Sequence, residues 1–161
     1  MNRILHIIAT PRAEESRTLI ISRAFLEAFR KKYPACGIDE LNLFTETLPS
    51  LTARTITGKF VLMSGKDLPP ALQPAWDAII RQVERFLAAD AYLLSCPMWN
   101  FSIPYPLKHY LDIIIQPKYL FHYTAEGPVG HLGHKKIVVI TSRGGDYTPG
   151  SPAAALDMQE P

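Results

Sequence analysis

Apolar residues in this chain form short continuous runs and longer stretches with helical spacing, and the two kinds alternate. Three apolar runs predict buried strands, at residues 4–9, 91–96 and 137–141. A weaker alternation of apolar and polar positions predicts a half-covered edge strand over residues 38–44. The pattern therefore provides four strands for one sheet.

Helical periodicity fills most of the chain between these strands. Apolar positions that recur every three or four residues predict helices over residues 17–33, 72–87 and 104–114, with Ser16 as the N-cap of the first. A shorter helix is expected around residues 53–64, where glycines weaken the pattern. Strands that alternate with helices predict an α/β fold with a doubly wound parallel sheet.

One domain is expected to cover residues 1–161, because the sequence shows neither an internal repeat nor a low-complexity linker. Residues 119–133 place aromatic side chains among glycine and proline breaks. That segment predicts a loop with room for a hairpin.

Composition excludes several classes of protein. The chain has 161 residues, of which 47% are hydrophobic and 20% charged, as in one globular domain. Its net charge of only +2 argues against a nucleic-acid partner. Cys36 and Cys96 show no paired spacing, which excludes a disulfide framework and predicts a cytoplasmic protein. No apolar run is long enough for a membrane helix, so no membrane partner is expected.

Ligands of doubly wound sheets bind outside the carboxyl ends of the strands, so the segment after each apolar run is a candidate site. Residues 10–18 place hydroxyls and arginines at the start of a helix, a donor set that suits phosphate. The segment has no glycine, so it is neither a P-loop nor a dinucleotide-binding loop. Ordinary capping of the helix by Ser16 explains the same residues.

Two later segments follow strands in the same way. Trp99 and Phe101 lie in a loop that should be polar, and flat aromatic side chains suit a planar heteroaromatic ligand or simply cover the core. Residues 142–147 contain two adjacent glycines, which let backbone N–H groups approach a ligand or merely form a turn. Three such loops at strand ends favour a shared ligand. His131 and His134 lack a third ligand nearby, so no metal site is predicted.

The segments CPMWNFSIPYPLKHYLD and YLFHYTAEGPVGHLGHKKIVVITSRGG resemble the FMN-dependent NADH:azoreductases, also described as quinone reductases. The resemblance implies a flavodoxin-like fold with strand order 2-1-3-4-5. It also implies that Tyr123 lines the substrate side of the flavin. The residues that it implies for FMN binding are Thr10, Ser16, Arg17, Thr18, Pro97, Met98, Trp99, Asn100, Phe101, Ser142, Arg143, Gly144 and Gly145.

The activity implied by this resemblance is a two-step oxidoreduction. NADH or NADPH delivers hydride to N5 of FMN, and a quinone or aromatic azo compound then takes two electrons by a ping-pong mechanism. The resemblance also implies a homodimer. No protein acid or base is predicted, because the reduced flavin and solvent can supply the protons.

Two features depart from the family pattern. Ser16-Arg17-Thr18 stands where Ser-Gln-Ser is commoner, which adds a positive charge beside the phosphate. Family members also continue through a last helix, strand and helix, so the chain is expected to lack the fifth strand. The strand at Ile137 would then be an edge with unpaired backbone groups.

Two other functions stay open at this point. A flavodoxin-type carrier would pass single electrons to protein partners and would stabilise the one-electron-reduced flavin. Such carriers are typically acidic, whereas this chain has a charge of +2. A flavodoxin-like binding protein that has lost catalysis would retain no flavin. Flavin binding and the number of electrons transferred therefore distinguish these classes.

Overall fold

The computed structural model describes residues 2–159. Within that part of the chain, six strands are formed: β1 (Arg3–Ile8), β2 (Gly37–Asn42), β3 (Ala91–Ser95), β4 (Phe121–Thr124), β5 (Gly127–Gly130) and β6 (Lys136–Ile140). The α-helices between them are α1 (Arg17–Lys32), α2 (Ala53–Met63), α3 (Gln73–Leu87) and α4 (Tyr105–Ile114). The predicted strands and helices are confirmed to within a few residues at their ends.

The main sheet is parallel and has the order β2-β1-β3-β6. β1 lies inside the sheet, where Ile4 pairs with Ile38 on one side and with Ala91 on the other. This order confirms the predicted flavodoxin-like arrangement for the first four strands. β6 is an edge of the described sheet, and its residues Ile137 and Val139 are 57% and 49% exposed.

The chain forms two compact units, each with most of its residue contacts inside itself. The first contains the main sheet and α1, and its described residues are 2–46, 90–108 and 136–159. The second comprises residues 47–89 and 109–135 and contains α2, α3 and the β4–β5 hairpin. The single domain stays a prediction, and its residues Met1, Glu160 and Pro161 lie outside the described residues.

The core of the first unit is an apolar cluster between α1 and the sheet. Ile4, Leu26 and Leu93 are buried there with Ala91, and partly buried aromatic residues of α1 pack against them. α1 begins where sequence predicts, because the Ser16 hydroxyl accepts a hydrogen bond from the Leu19 amide at 3.3 Å. Burial of this helix face fixes the start of α1 beside β1 and β3.

In the second unit, α2 and α3 meet at a buried indole. Trp76 of α3 is fully buried and its Nε1 donates to the carbonyl oxygen of Thr55 at 3.2 Å. Gly58 lies on the same face of α2, one turn further on, where it leaves room for the ring. In the same unit, β4 and β5 form a hairpin within residues 119–133, as the sequence allows.

Replacing Gly58 by alanine should destabilise the protein. The added Cβ would lie 2.7 Å from Cε2 of Trp76 and closer still to Nε1, so the indole must move and its bond to Thr55 is lost. Overpacking of this kind costs about 1–3 kcal/mol, more than the better helix propensity of alanine returns. Urea unfolding followed by circular dichroism measures the change.

Gly37→Ala is the matched control, because its Cβ would meet only an ordinary contact at 3.6 Å from the Asn2 carbonyl oxygen. We expect its unfolding midpoint to stay close to that of the unmodified chain. An unchanged midpoint in Gly58→Ala would contradict the close approach of α2 to Trp76.

Candidate functional site

A polar cavity lies at the carboxyl ends of β1, β3 and β6. Its volume is about 140 Å³, and all of its lining residues belong to the first compact unit. The cavity contains residues from each of the three loops that sequence predicts. The lining residues are Thr10, Arg12, Ser16, Arg17, Thr18, Pro97, Trp99 and Ser142.

The beginning of α1 supplies three of the residues that line this cavity, Ser16, Arg17 and Thr18. Ser16 and Thr18 are buried, whereas Arg12 and Arg17 are exposed at the rim. The amides of Arg17 and Thr18 belong to the first helical turn, where no intrahelical acceptor exists, and the helix dipole adds partial positive charge. Eight residues line the cavity and none of them is acidic. The donor set therefore suits an anion, and we call this space the anion cavity.

The loops after β3 and β6 are joined by hydrogen bonds that continue the sheet ladder. The Cys96 amide donates to the Ile140 carbonyl at 3.0 Å, and the Met98 amide donates to the Ser142 carbonyl at 2.9 Å. The Ser142 hydroxyl also lies 2.7 Å from the Thr18 hydroxyl of α1. These bonds bring all three predicted segments together at one edge of the sheet.

The loop after β3 contains a tight turn with an unusual backbone. Trp99 and Ser102 exchange backbone hydrogen bonds of 2.8 and 3.0 Å around Asn100 and Phe101. Both central residues have positive φ, 46° and 68°, as in a type I′ turn, although neither is glycine. A phenylalanine in that region costs stability, and such strain is concentrated at functional sites.

Aromatic side chains surround this turn. Trp99 makes an edge contact with Phe44 at 5.7 Å between ring centroids, and Phe44 contacts the exposed Tyr105 at 6.2 Å. Phe101 makes a similar contact with Tyr147 at 6.3 Å. Phe44 was missed by the sequence prediction. It lies two residues beyond β2, whereas the predicted strand over residues 38–44 includes it, so the strand-end rule did not select it.

The third loop is only partly in the anion cavity. Ser142 lines it, but Arg143 lines a separate cavity of about 330 Å³ with Tyr147 and Asp157. Nη1 of Arg143 lies 2.6 Å from Asp157 Oδ2, with side-chain exposures of 20% and 6%. Gly144 and Gly145 line neither of these two cavities, and the same holds for Met98, Asn100 and Phe101.

Met158 and Gln159, at the end of the described chain, form hydrogen bonds to the segments that follow β3 and β6. The Met158 amide donates to the Phe101 carbonyl at 2.8 Å. Gln159 donates to the Cys96 carbonyl at 3.3 Å and accepts from the Thr141 hydroxyl at 2.8 Å. No periodicity or motif in this small-residue segment predicts these contacts.

Tyr123, predicted to face a substrate, belongs to the second unit. It lies in β4, is exposed and makes an edge contact with Phe121 at 5.4 Å. His131 of the same unit is hydrogen-bonded to His122 at 2.7 Å. Between residues 2 and 159 no three His, Cys, Asp or Glu side chains converge as metal ligands, and no helix is long and apolar enough to cross a membrane.

The sheet order and the anion cavity at its strand ends define a flavodoxin-like α/β protein. The family described by that fold matches residues 2–161, and this chain belongs to it. The FMN-dependent NADH:quinone oxidoreductase of Nitratidesulfovibrio vulgaris strain Hildenborough is 39% identical over 160 residues, 99% of this chain and 77% of that protein. The resemblance stated from the sequence is therefore confirmed.

Solved structures give the same result. The azoreductase from Bacillus anthracis strain Sterne superposes with a TM-score of 0.86 at 34% identity, over 99% of this chain and 76% of the other. An FMN-dependent NADH-azoreductase from Bacillus anthracis strain Ames Ancestor, solved in complex with FMN, superposes with a TM-score of 0.84 at 26% identity. That match covers 99% of this chain and 77% of the other.

Cys96 should be unreactive in the folded protein although it adjoins the site. Burial raises the pKa of its thiol to about 11, against the opposing effect of a hydrogen bond from Gln159, and the side chain is 1% exposed. At pH 8 only about one thiol in a thousand is then ionised. In a Cys36→Ser variant, we expect dithionitrobenzoate to react with Cys96 at least about a hundredfold more slowly than with glutathione.

The same variant unfolded in guanidinium is the control, and there Cys96 should react at the rate of an ordinary thiol. Rapid reaction of the folded variant would contradict the burial of this side chain.

Proposed function

We propose that this chain binds FMN and catalyses two-electron transfer from NADH or NADPH to quinones or aromatic azo compounds. The observation that carries the proposal is the cavity that unites Thr18 of α1, Trp99 after β3 and Ser142 after β6. The names of the relatives support the chemistry, since they include FMN-dependent NADH:quinone oxidoreductases and azoreductases.

The anion cavity fits the phosphate of FMN. Three residues with hydroxyl groups, Thr10, Ser16 and Thr18, line it, and the amides of the first helical turn supply further donors. Arg12 and Arg17 add positive charge at the rim, which compensates a phosphate dianion. We assign the phosphate to this end of the site.

The ring system of FMN needs more room than this cavity provides. Sites for ligands of that size measure about 300–1,000 Å³, against about 140 Å³ here. We therefore place the ring outside the phosphate cavity, along the strained turn from Pro97 to Phe101 and the loop from Ser142 to Gly145. Aromatic and backbone surfaces of that kind suit a flat heteroaromatic ring.

When bound, FMN supplies the redox chemistry by accepting and returning two electrons as hydride. The chain binds and orients it, and we assign no side chain as an acid or base. We propose a ping-pong order, for which initial-rate plots at several acceptor concentrations should give parallel lines. Tyr123 is proposed to face the substrate.

A homodimer is proposed as the working assembly. Phe101 and Tyr105 are exposed beside the turn, and exposed aromatic side chains mark interaction surfaces. Light scattering of the purified protein tests this state. We also propose a cytoplasmic location, because both cysteines are free thiols, as is usual in reducing compartments.

Anaerobic titration with FMN, followed by one equivalent of NADH, tests the function. We expect FMN to bind and its visible absorbance to disappear after NADH, without a long-lived long-wavelength band of one-electron-reduced flavin. A benzoquinone should then restore the oxidised spectrum. Absence of FMN binding would contradict the proposal, and a persistent one-electron band would favour an electron carrier.

Asn100→Gly separates ligand binding from backbone strain. Glycine adopts the φ of 46° at no steric cost, so stability should be maintained while the side chain is lost. If Asn100 donates to the flavin, its loss should weaken FMN binding about fivefold, as expected for one hydrogen bond. Fluorescence quenching of FMN measures the affinity.

Asn100→Ala is the matched variant, since it removes the same amide but keeps a Cβ at positive φ. It should weaken FMN binding to the same extent, and the variant should also lose about 1 kcal/mol of stability. Unchanged FMN affinity in both variants would show that Asn100 makes no such contact.

A further inference from the structure

A row of buried polar groups connects the middle of β1 to the first turn of α1. Nε2 of His6 lies 2.8 Å from the Ser95 hydroxyl, which lies 2.6 Å from the Ser22 hydroxyl. The Ser22 hydroxyl in turn lies 2.9 Å from the carbonyl oxygen of Thr18. All four residues are buried and belong to the first unit. A polar row at this depth is stable only if its hydrogen bonds are made.

The proton direction along this row follows from its last member. The Thr18 carbonyl can only accept, so Ser22 must use its single hydroxyl proton there. Ser95 must then donate to Ser22, and its own oxygen accepts from His6. One arrangement therefore satisfies every contact, and it requires a proton on Nε2 of His6.

His6 meets this requirement in its neutral form. Burial lowers its pKa, an effect that the carboxylate of Glu40 opposes. Nδ1 of His6 is 3.8 Å from Glu40 Oε1, beyond hydrogen-bond distance, and within the described chain it has no hydrogen-bond partner. The neutral ring carries a single proton, and the donor order along the row assigns it to Nε2, where Ser95 accepts it.

The far end of the row reaches the anion cavity. Thr18 lines that cavity, and its hydroxyl lies 2.7 Å from the hydroxyl of Ser142, another lining residue. The row holds the Thr18 carbonyl from inside the core, whereas Ser142 contacts its side chain from the loop after β6. The position of Thr18 is therefore set from both sides.

We propose that His6, acting through Ser95 and Ser22, is a positioning residue that fixes Thr18 and the first turn of α1 for phosphate binding. This proposal rests on the proposed function, because it assigns the phosphate of FMN to the cavity. It predicts that loss of the row weakens the binding of a flavin that carries the phosphate. The binding of a flavin without the phosphate should be unaffected.

FMN and riboflavin are the two probes, because they differ only in the phosphate. Their dissociation constants are measured for the full chain and for His6→Leu and Ser22→Ala, at a temperature where circular dichroism shows each variant to be folded. We expect each substitution to reduce the preference for FMN over riboflavin about tenfold, within the range for coupling through a hydrogen-bonded network. Ser22→Ala keeps the test decisive if His6→Leu does not fold.

Two controls separate positioning from general destabilisation. His6→Gln retains an N–H donor near the position of Nε2 and should restore most of the preference for FMN. Leu5→Val removes a buried methylene from the other face of β1 and should lower stability without changing the preference.

Three results would overturn the proposal. If the unmodified chain binds FMN but both substitutions leave the preference unchanged, the row is not a positioning device, and the proposed function stands. If the substitutions weaken the binding of FMN and of riboflavin equally, the role of the row is purely structural. If the unmodified chain binds no FMN, the proposed function fails together with the positioning role.

Discussion

The parallel register of β1, β3 and β6 is the constraint on which the site depends. The register continues past the strands, because the Ala9 amide donates to the Ser95 carbonyl at 2.9 Å and the Met98 amide donates to the Ser142 carbonyl at 2.9 Å. Each loop therefore leaves the sheet at a fixed height relative to its neighbour. A shift of one residue along β3 would reverse the faces of its side chains and separate Ser95 from Ser22.

Rigid strand ends also explain how a strained turn persists. Asn100 and Phe101 both have positive φ, which asparagine tolerates but which costs on the order of 1–3 kcal/mol for a phenylalanine. The turn is held by the paired Trp99 and Ser102 backbone and by the Met158 amide on the Phe101 carbonyl. These contacts compensate the strain, and they keep aromatic rings at the strand ends where a flexible loop would let them collapse onto the core.

Sequence periodicity predicts the helices and strands well, because the buried side of each element recurs with that element's own period. The strand-end rule then identifies Thr18, Trp99 and Ser142, which the fold brings to one cavity. It does not tell Ser142 from Arg143, which points to Asp157 instead, since that choice depends on side-chain direction after the strand. Ser22 looks like an ordinary helical serine, and only the packing of α1 against β3 reveals its contact with Ser95.

The anion cavity, which we propose binds the phosphate of FMN, can exchange its internal contacts for those of an anion at small cost. Arg12 pairs with Glu15 at 3.2 Å, but both side chains are exposed, and such a pair contributes about 0–1 kcal/mol. The hydroxyls of Thr18 and Ser142 satisfy each other, and either can turn its proton to a phosphate oxygen. Hydrogen bonds to a charged group are worth about 1.5–3 kcal/mol, so the exchange favours the anion. Thr18 can take part only while its backbone stays in place, and its carbonyl is held by the row that begins at His6.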